Sequence, residues 1–490
     1  MKKFFNLLLV LLSLICVFSM PISFTTVSAQ SVENNNNNKN EKLIRYNFLP
    51  ADEMPVLGYI AMPCAAAGAS GVQAQNPSFI TRSNFLRYKD AGFNIVSGVY
   101  DKEPFHTSEI HKALELCEDL DLTYFVCDNT HRCDSAGGTV GGITYEQSKA
   151  GLKDAWYLNE KACGGIAVKD EPSAKDYEAM GNVNKALKEL TDGKIVYTTL
   201  FPMFAGVERF YLDDYSGTHW DCYVRYVREF LNTVKPDVLA YDLYISMLES
   251  GTLNNPLDAV YPGEIAGGQQ NVMEYFQSLS LFRNLSKEFN VPFWPTVASY
   301  NHIRKVQFSK KQLSWVVNSS LAYGAKGIQY YTYWPNMEGG KIEDWANPSK
   351  AGLVTQNGTP HDTYYQIKEL NENIKLVQKV LMTSEHMGVI QFGKQNFSLQ
   401  MEDVLYNYDV LSNITGGDTF VGCFKKPDGK PAYYILNNSF TAGSTTFKAD
   451  FYKKSNIKLT NLQDGINTFE NTYSVGFNLS GGQAVLLEVL

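Results

Sequence analysis

Positive charge is in short supply in this chain. Lysine and arginine total 43 against 51 aspartates and glutamates, a formal net charge of −8. That balance gives a phosphate backbone or an anionic membrane surface little to hold, so neither nucleic acid nor a membrane surface is expected as a partner. Cysteine is scarce as well, at 8 in 490 residues. Cys16 falls inside an N-terminal apolar stretch. Cys64, Cys117, Cys127, Cys133, Cys163, Cys222 and Cys423 remain, odd in number and irregular in spacing. No disulfide framework follows from them, and a large domain needs none. Cys127, Asp128, His131 and Cys133 lie close together, but without the spacing of a zinc site, so no metal is expected. There is no Walker loop, no lipase-type nucleophile elbow and no His-Glu-x-x-His helix. "GASG" (68–71) lacks the spacing of a phosphate loop. No cofactor is therefore implied.

Long hydrophobic runs are also missing, with one exception. Lys2 and Lys3 precede "FFNLLLVLLSLICVFSM", and Val27-Ser28-Ala29 follows as a small-residue site. This pattern predicts a signal peptide over 1–29, removed after Ala29. An uncleaved anchor is the alternative. No other segment is long and apolar enough to span a bilayer, so no membrane insertion is expected once the signal is cut. "VENNNNNKNEK" (32–42) is polar and low in complexity, and it makes 30–45 a linker. The protein is expected outside the cell, with release and attachment at the cell surface both open.

Aromatic residues are abundant: 13% of the chain, with 30 Tyr and 28 Phe. They suit a large core, and they suit sugar, whose flat C–H faces lie against aromatic planes. Eight apolar runs alternate with helical patterns: 56–62, 93–100, 122–129, 163–171, 194–201, 237–245, 291–299 and 326–334. Between them, Phe85, Tyr88 and Ala91 recur at helical spacing, and Ile110, Ala113, Leu114 and Cys117 share one face. Eight strand–helix units predict a (β/α)8 TIM barrel over 46–375. A doubly wound sheet alternates in the same way, but no strand here leads into a glycine-rich phosphate loop. Past residue 375 the pattern shifts to short strands joined by turns such as "KPDGKP" and "LQDGIN", which predicts a C-terminal all-β sandwich over 376–490.

A barrel of this kind builds its site at the C-terminal ends of its strands. Those ends carry Asp128 and Asn129 on the third strand, Asp170 and Glu171 on the fourth, and Asp242 and Tyr244 on the sixth. Tyr331, Tyr333 and Trp334 end the eighth. Two carboxyl groups flanking a glycosidic bond are the minimum equipment for its hydrolysis, one of them protonated. The plainer reading of Asp170-Glu171 is an acidic helix start, since Ser173 to Asp176 is a capping box. That explains one acid near a cap better than two acids still within a strand. Trp294, inside the seventh strand, is expected in the core. Trp334 and Tyr333 are expected to meet sugar, alongside Asp170, Asp128, Asn129 and Tyr244.

"KDEP" after the fourth strand resembles the Asn-Glu-Pro signature of clan A glycoside hydrolases, with Asp170 where that clan has Asn. "YKDAGFNIV", "KPDVLAYDLY", "VPFWPTVAS" and "YGAKGIQYYTYW" resemble secreted bacterial barrel proteins related to the family 42 β-galactosidases, over residues 50–375. The resemblance implies Glu171 as general acid/base and Asp170 as its orienting neighbour near the sugar 2-hydroxyl. It also implies a nucleophilic Glu at the end of the seventh strand, where "FWPTVASYNH" has Ala298 or Ser299 instead. Three readings stay open. Asp242, then Asp128, acts as a base on water with inversion; Glu338 swings in; or the protein binds carbohydrate on a degenerate barrel without cutting it. The expected function is a secreted glycoside hydrolase with Glu171 and Asp242 as its carboxyls.

Overall fold

The computed structural model describes residues 43–62, 79–98, 107–127, 143–244, 260–261, 270–301, 306–335, 337–338, 341–342, 352–355, 357–393, 403–439, 442–461 and 463–490. Eight parallel strands close a barrel in strictly sequential order. They are β1 (Val56–Gly58), β2 (Ile95–Ser97), β3 (Thr123–Val126), β4 (Cys163–Asp170), β5 (Ile195–Leu200), β6 (Leu239–Leu243), β7 (Phe293–Ala298) and β8 (Ile328–Tyr331). All eight fall within the runs expected from the sequence. The strands are buried along nearly their whole length, which is why they read as continuous apolar runs and not as alternating ones.

Helices cover the barrel: α1 (Arg82–Asp90), α2 (Thr107–Asp119), α3 (Tyr145–Asp154), α4 (Ala174–Leu190), the short α5 (Val207–Phe210), α6 (His219–Val234), α7 (Val272–Phe289), α8 (Lys310–Ala322) and α9 (Asp362–Thr383). The capping box read at Ser173 forms. Its amide and hydroxyl both donate to Asp176 Oδ2, at 2.8 and 2.9 Å. Trp294 is fully buried, and its ring meets Tyr46 edge-on at 5.7 Å. The peptide bond between Tyr331 and Thr332 is cis.

Seven antiparallel strands follow: β9 (Glu385–Phe392), β10 (Leu411–Thr415), β11 (Thr419–Lys425), β12 (Pro431–Asn437), β13 (Thr445–Asn461), β14 (Gly465–Leu479) and β15 (Ala484–Val489). They form one sheet, in the order β9-β11-β12-β15-β13-β10, with β14 on β13. The sandwich is this single sheet curled on itself. Register irregularities between Asp450 and Ile457 divide β13, so that its first half pairs β10 and its second half pairs β15. Alternation then sorts the side chains. Phe420, Tyr434 and Leu486 join the barrel core, while Val421, Tyr433 and Leu487 fill a second core inside the curl. At the seam with the barrel helices, Phe420 stacks on Phe276 at 5.2 Å, and Trp315 Nε1 donates to Asn438 Oδ1 at 2.8 Å.

Candidate active site at the barrel mouth

The position of Asp170 depends on an irregularity in β4. Ala167 pairs with Tyr197, yet the next pairings on β5 are Lys169 with Thr198 and Asp170 with Thr199. One extra residue sits on β4 between those pairings. Without this bulge, Ala167 and Lys169 would share a face and Asp170 would point the other way. With it, Asp170 falls on the inward face beside Tyr197 and Thr199, and all three line one cavity with Tyr59, Cys127 and Ala167. Lys169 is bridged to buried Asp176 of α4 at 3.0 Å, which ties the bulge to the first turn of the helix.

Glu171 follows with φ +46°, in the left-handed region. That conformation costs a residue with a Cβ roughly 1–2 kcal/mol, and it persists only where the surroundings hold it. Here the Glu171 amide donates to the Thr199 carbonyl at 2.9 Å. The Tyr226 hydroxyl donates to the Pro172 carbonyl at 2.7 Å.

The turn brings Glu171 into hydrogen-bonding contact with Asp242 of β6. β4 and β6 are both neighbours of β5, so their inward residues meet across one strand. Burial pushes the Glu171 carboxyl up to about 7, helped by the charge of Asp170 and opposed by the Asp242 hydrogen bond and the nearby Arg209 guanidinium. Asp242 is more deeply buried, and burial, then Glu171 and Asp170, drive it well above the ordinary carboxylate range. Two like groups in contact in a poorly solvated site cannot both ionise readily, so the pair holds a proton. Asp170 is exposed and in hydrogen-bonding contact with the Tyr59 hydroxyl. The Tyr244 hydroxyl supports Asp242, and the Tyr331 ring lies between those of Tyr59 and Tyr244, 5.7 and 5.6 Å away.

The structure thus gathers Asp170, Glu171, Asp242 and Tyr244 at one mouth. It leaves Tyr333 and Trp334 outside. Both are 1% exposed. Tyr333 lies against Tyr88 and Phe93 on the helix side, and Trp334 lies against Phe79 at 4.6 Å. Neither presents a face to sugar. The chain leaves the sheet after Tyr331, and Tyr333 falls on the same side as Tyr330, which also meets Phe93. Asp128, Asn129 and the side chain of Glu338 lie outside the described residues.

Glu171 and Asp242 are in hydrogen-bonding contact, whereas an inverting pair works with about 6.5–9.5 Å between its carboxyls. At the end of β7, the buried Ser299 hydroxyl accepts from the Thr332 amide at 3.0 Å and donates to the Tyr331 carbonyl at 3.0 Å, so it serves the backbone of β8.

Tyr59, Tyr197, Thr199 and Tyr226 were not among the expected site residues. Tyr197 and Thr199 were legible as the i, i+2 face of β5. Tyr59 was hidden because the first run was read to Met62, beyond the ladder that ends at Gly58.

No protein-family model matches the chain, and no curated protein sequence matches it, so the likeness to family 42 rests on the quoted motifs alone. Solved structures do match. One described as a glycoside hydrolase is 12% identical, covering 92% of this chain and 96% of its own, with a TM-score of 0.51. A glycoside hydrolase family 5 protein from Bacteroides vulgatus is 12% identical over 84% of this chain and 85% of its own, TM-score 0.47. A putative alpha-galactosidase from Bacteroides fragilis is 9% identical over 90% and 80%, TM-score 0.46. At such identities the likeness is one of fold: a closed parallel barrel followed by an antiparallel β domain.

Proposed function

We propose that the chain is an exported glycoside hydrolase whose acid is the proton held between Glu171 and Asp242. The observation that carries this reading is the contact of those two carboxyls at the barrel mouth, with Glu171 pushed up to about 7. A carboxylic acid that keeps its proton near neutral pH is what a departing sugar oxygen requires. Glu171 is the less buried of the two and delivers the proton. Asp242 lies deeper and shares that proton with it. Asp170, exposed and hydrogen-bonded to Tyr59, is the carboxylate beside the sugar ring. Tyr244 and Tyr331 supply aromatic surface at the rim. The substrate is a glycan, and the reaction cleaves its O-glycosyl bonds. The catalytic unit runs from residue 46 to the end of α9 at Thr383, past the boundary at 375 expected from the sequence, because α9 continues unbroken through that position; the β domain begins at Glu385.

Assay of a panel of aryl glycosides and natural glycans for released sugar tests the activity. NMR of the first product tests the stereochemistry. Inversion requires the Glu171–Asp242 pair to open around a water, and retention points to attack by a carboxylate such as Asp170. A second reading, glycan binding without cleavage, is favoured by the use of Ser299 in the β8 backbone where clan A enzymes carry their nucleophile. Tight glycan binding with no release from any substrate would decide for it. Export is tested by mass spectrometry of secreted protein, with an N-terminus at Gln30 expected.

A further inference from the structure

Tyr226 lies on α6, 55 positions beyond Glu171 in the sequence. Its hydroxyl nevertheless reaches the turn that carries Glu171. It donates to the Pro172 carbonyl at 2.7 Å and accepts from the Phe201 amide at 3.2 Å. One hydroxyl therefore ties the residue after Glu171 to the end of β5. The Thr199 carbonyl holds the same turn from the preceding side, through the Glu171 amide. The Tyr226 ring has no freedom to turn away. It is fully buried, stacked on Phe210 at 4.7 Å and flanked by Tyr177 at 5.7 Å and Phe201 at 6.2 Å. Tyr223, one helical turn earlier, donates to the Phe201 carbonyl at 2.9 Å. So α6 grips both sides of the Phe201 backbone and aims one further bond at Pro172.

We propose that Tyr226 is a positioning residue, holding the Glu171–Pro172 turn in the left-handed conformation that sets the Glu171 carboxyl against Asp242. It acts through backbone and touches neither carboxyl. A left-handed residue bearing a Cβ reverts to commoner conformations once its neighbours release it, and the bond to Pro172 is the restraint on its C-terminal side. The inference deepens the hydrolase reading and depends on it only where activity is measured.

Tyr226→Phe removes one oxygen and keeps the ring. Tyr434→Phe is the control. It removes the bond from the buried Tyr434 hydroxyl to Asn318 Oδ1, 2.7 Å, between β12 and α8 and away from the turn. Full-length protein labelled with carboxyl-13C Glu and Asp is titrated by NMR, with resonances assigned through Glu171→Gln and Asp242→Asn. The groups facing Glu171 — Asp170, Asp242 and Arg209 — are the same in both variants. Tyr226→Phe is expected to move the Glu171 titration down by about one pH unit, because a relaxed turn lets water reach the carboxyl. Tyr434→Phe is expected to leave it unmoved at a comparable loss of thermal stability. A Tyr226→Phe titration identical to that of the parent overturns the proposal, as does an equal shift in both variants. On any glycoside the parent cleaves, kcat should fall about tenfold with KM unchanged. If the parent cleaves none, the hydrolase reading fails and the titration still decides the role of Tyr226.

Discussion

Glu171→Gln keeps the shape of the side chain and removes its proton. With Glu171 pushed up to about 7, about nine-tenths of the molecules carry the acid at pH 6, against about 3% for a carboxyl at its ordinary 4.5. Burial thus raises the working acid about thirtyfold, and positioned acid catalysis as a whole is worth about 10²–10⁴ in rate. The variant should lose activity of that order on glycosides with poor leaving groups and far less on dinitrophenyl glycosides, whose leaving group departs without a proton. Initial rates on matched pairs read the difference. The same substitution should alter stability, with a definite sign. The folded state binds the Glu171 proton more tightly than the unfolded chain, so its stabilising effect is complete below about 4.5 and disappears as pH rises to about 7. The gap between 4.5 and about 7, at about 1.4 kcal/mol per pH unit, is on the order of 3 kcal/mol. Glu171→Gln has no such proton, so denaturant unfolding at pH 8 should find it gaining on the parent relative to pH 4. Full activity on an unactivated glycoside would refute the acid role. A parent–variant stability difference that is flat with pH would refute the shared proton.

Asp170→Asn removes the negative charge that helps raise both members of the pair, so the alkaline limb of the pH–rate profile should move to lower pH; an unmoved limb would count against the electrostatic coupling. Trp334→Ala should cost about 3–5 kcal/mol in chemical denaturation, because Trp334 is buried against Phe79, while glycan affinity stays the same. Ser299→Ala strands the Thr332 amide, while the Tyr331 carbonyl keeps its bond from the Ser299 amide at 2.7 Å, and should lower stability by about 1–3 kcal/mol, with kcat retained; a large fall in kcat at unchanged stability would make Ser299 part of the chemistry.

Much of the fold was legible because its signals are local. Buried parallel strands read as short apolar runs, and "KPDGKP" forms its turn, where the Lys426 amide donates to the Lys430 carbonyl and Gly429 stands at φ +82°. Asp464 and Gly465 of "LQDGIN" likewise fall where β13 gives way to β14, with Asn461 paired to Gly465. The strand β10 was missed: "LSNIT" is short and only partly apolar, and its place in the sheet depends on pairing with β13. β13 is one strand of 17 residues, but the irregular register in its middle interrupts the alternation, so "TTFKADFY" and "NIKLTN" do not read as one strand from the sequence. In the site, the acids at the tips of β4 and β6 were legible from strand ends alone. Their contact was not, since nothing in 163–171 or 237–245 states how far apart two inward residues lie once the sheet closes.

The sequence by itself determined which residues form the eight barrel strands, their order, and which acids stand at their tips, because strand burial, caps and turns are decided within a few residues. Tertiary structure alone decided which way those tips face. The extra residue in β4 turns Asp170 inward only through its pairing with Thr199. The left-handed turn at Glu171 stands only because Thr199 and Tyr226 hold it. Tyr333 and Trp334 went to the helix side because the chain leaves the ladder after Tyr331 and packs on Tyr88, Phe93 and Phe79. A strand's period assigns its faces only while its ladder is regular. Where the ladder bulges or ends, the partner across the hydrogen bonds sets the direction of each side chain, and that partner is distant in sequence.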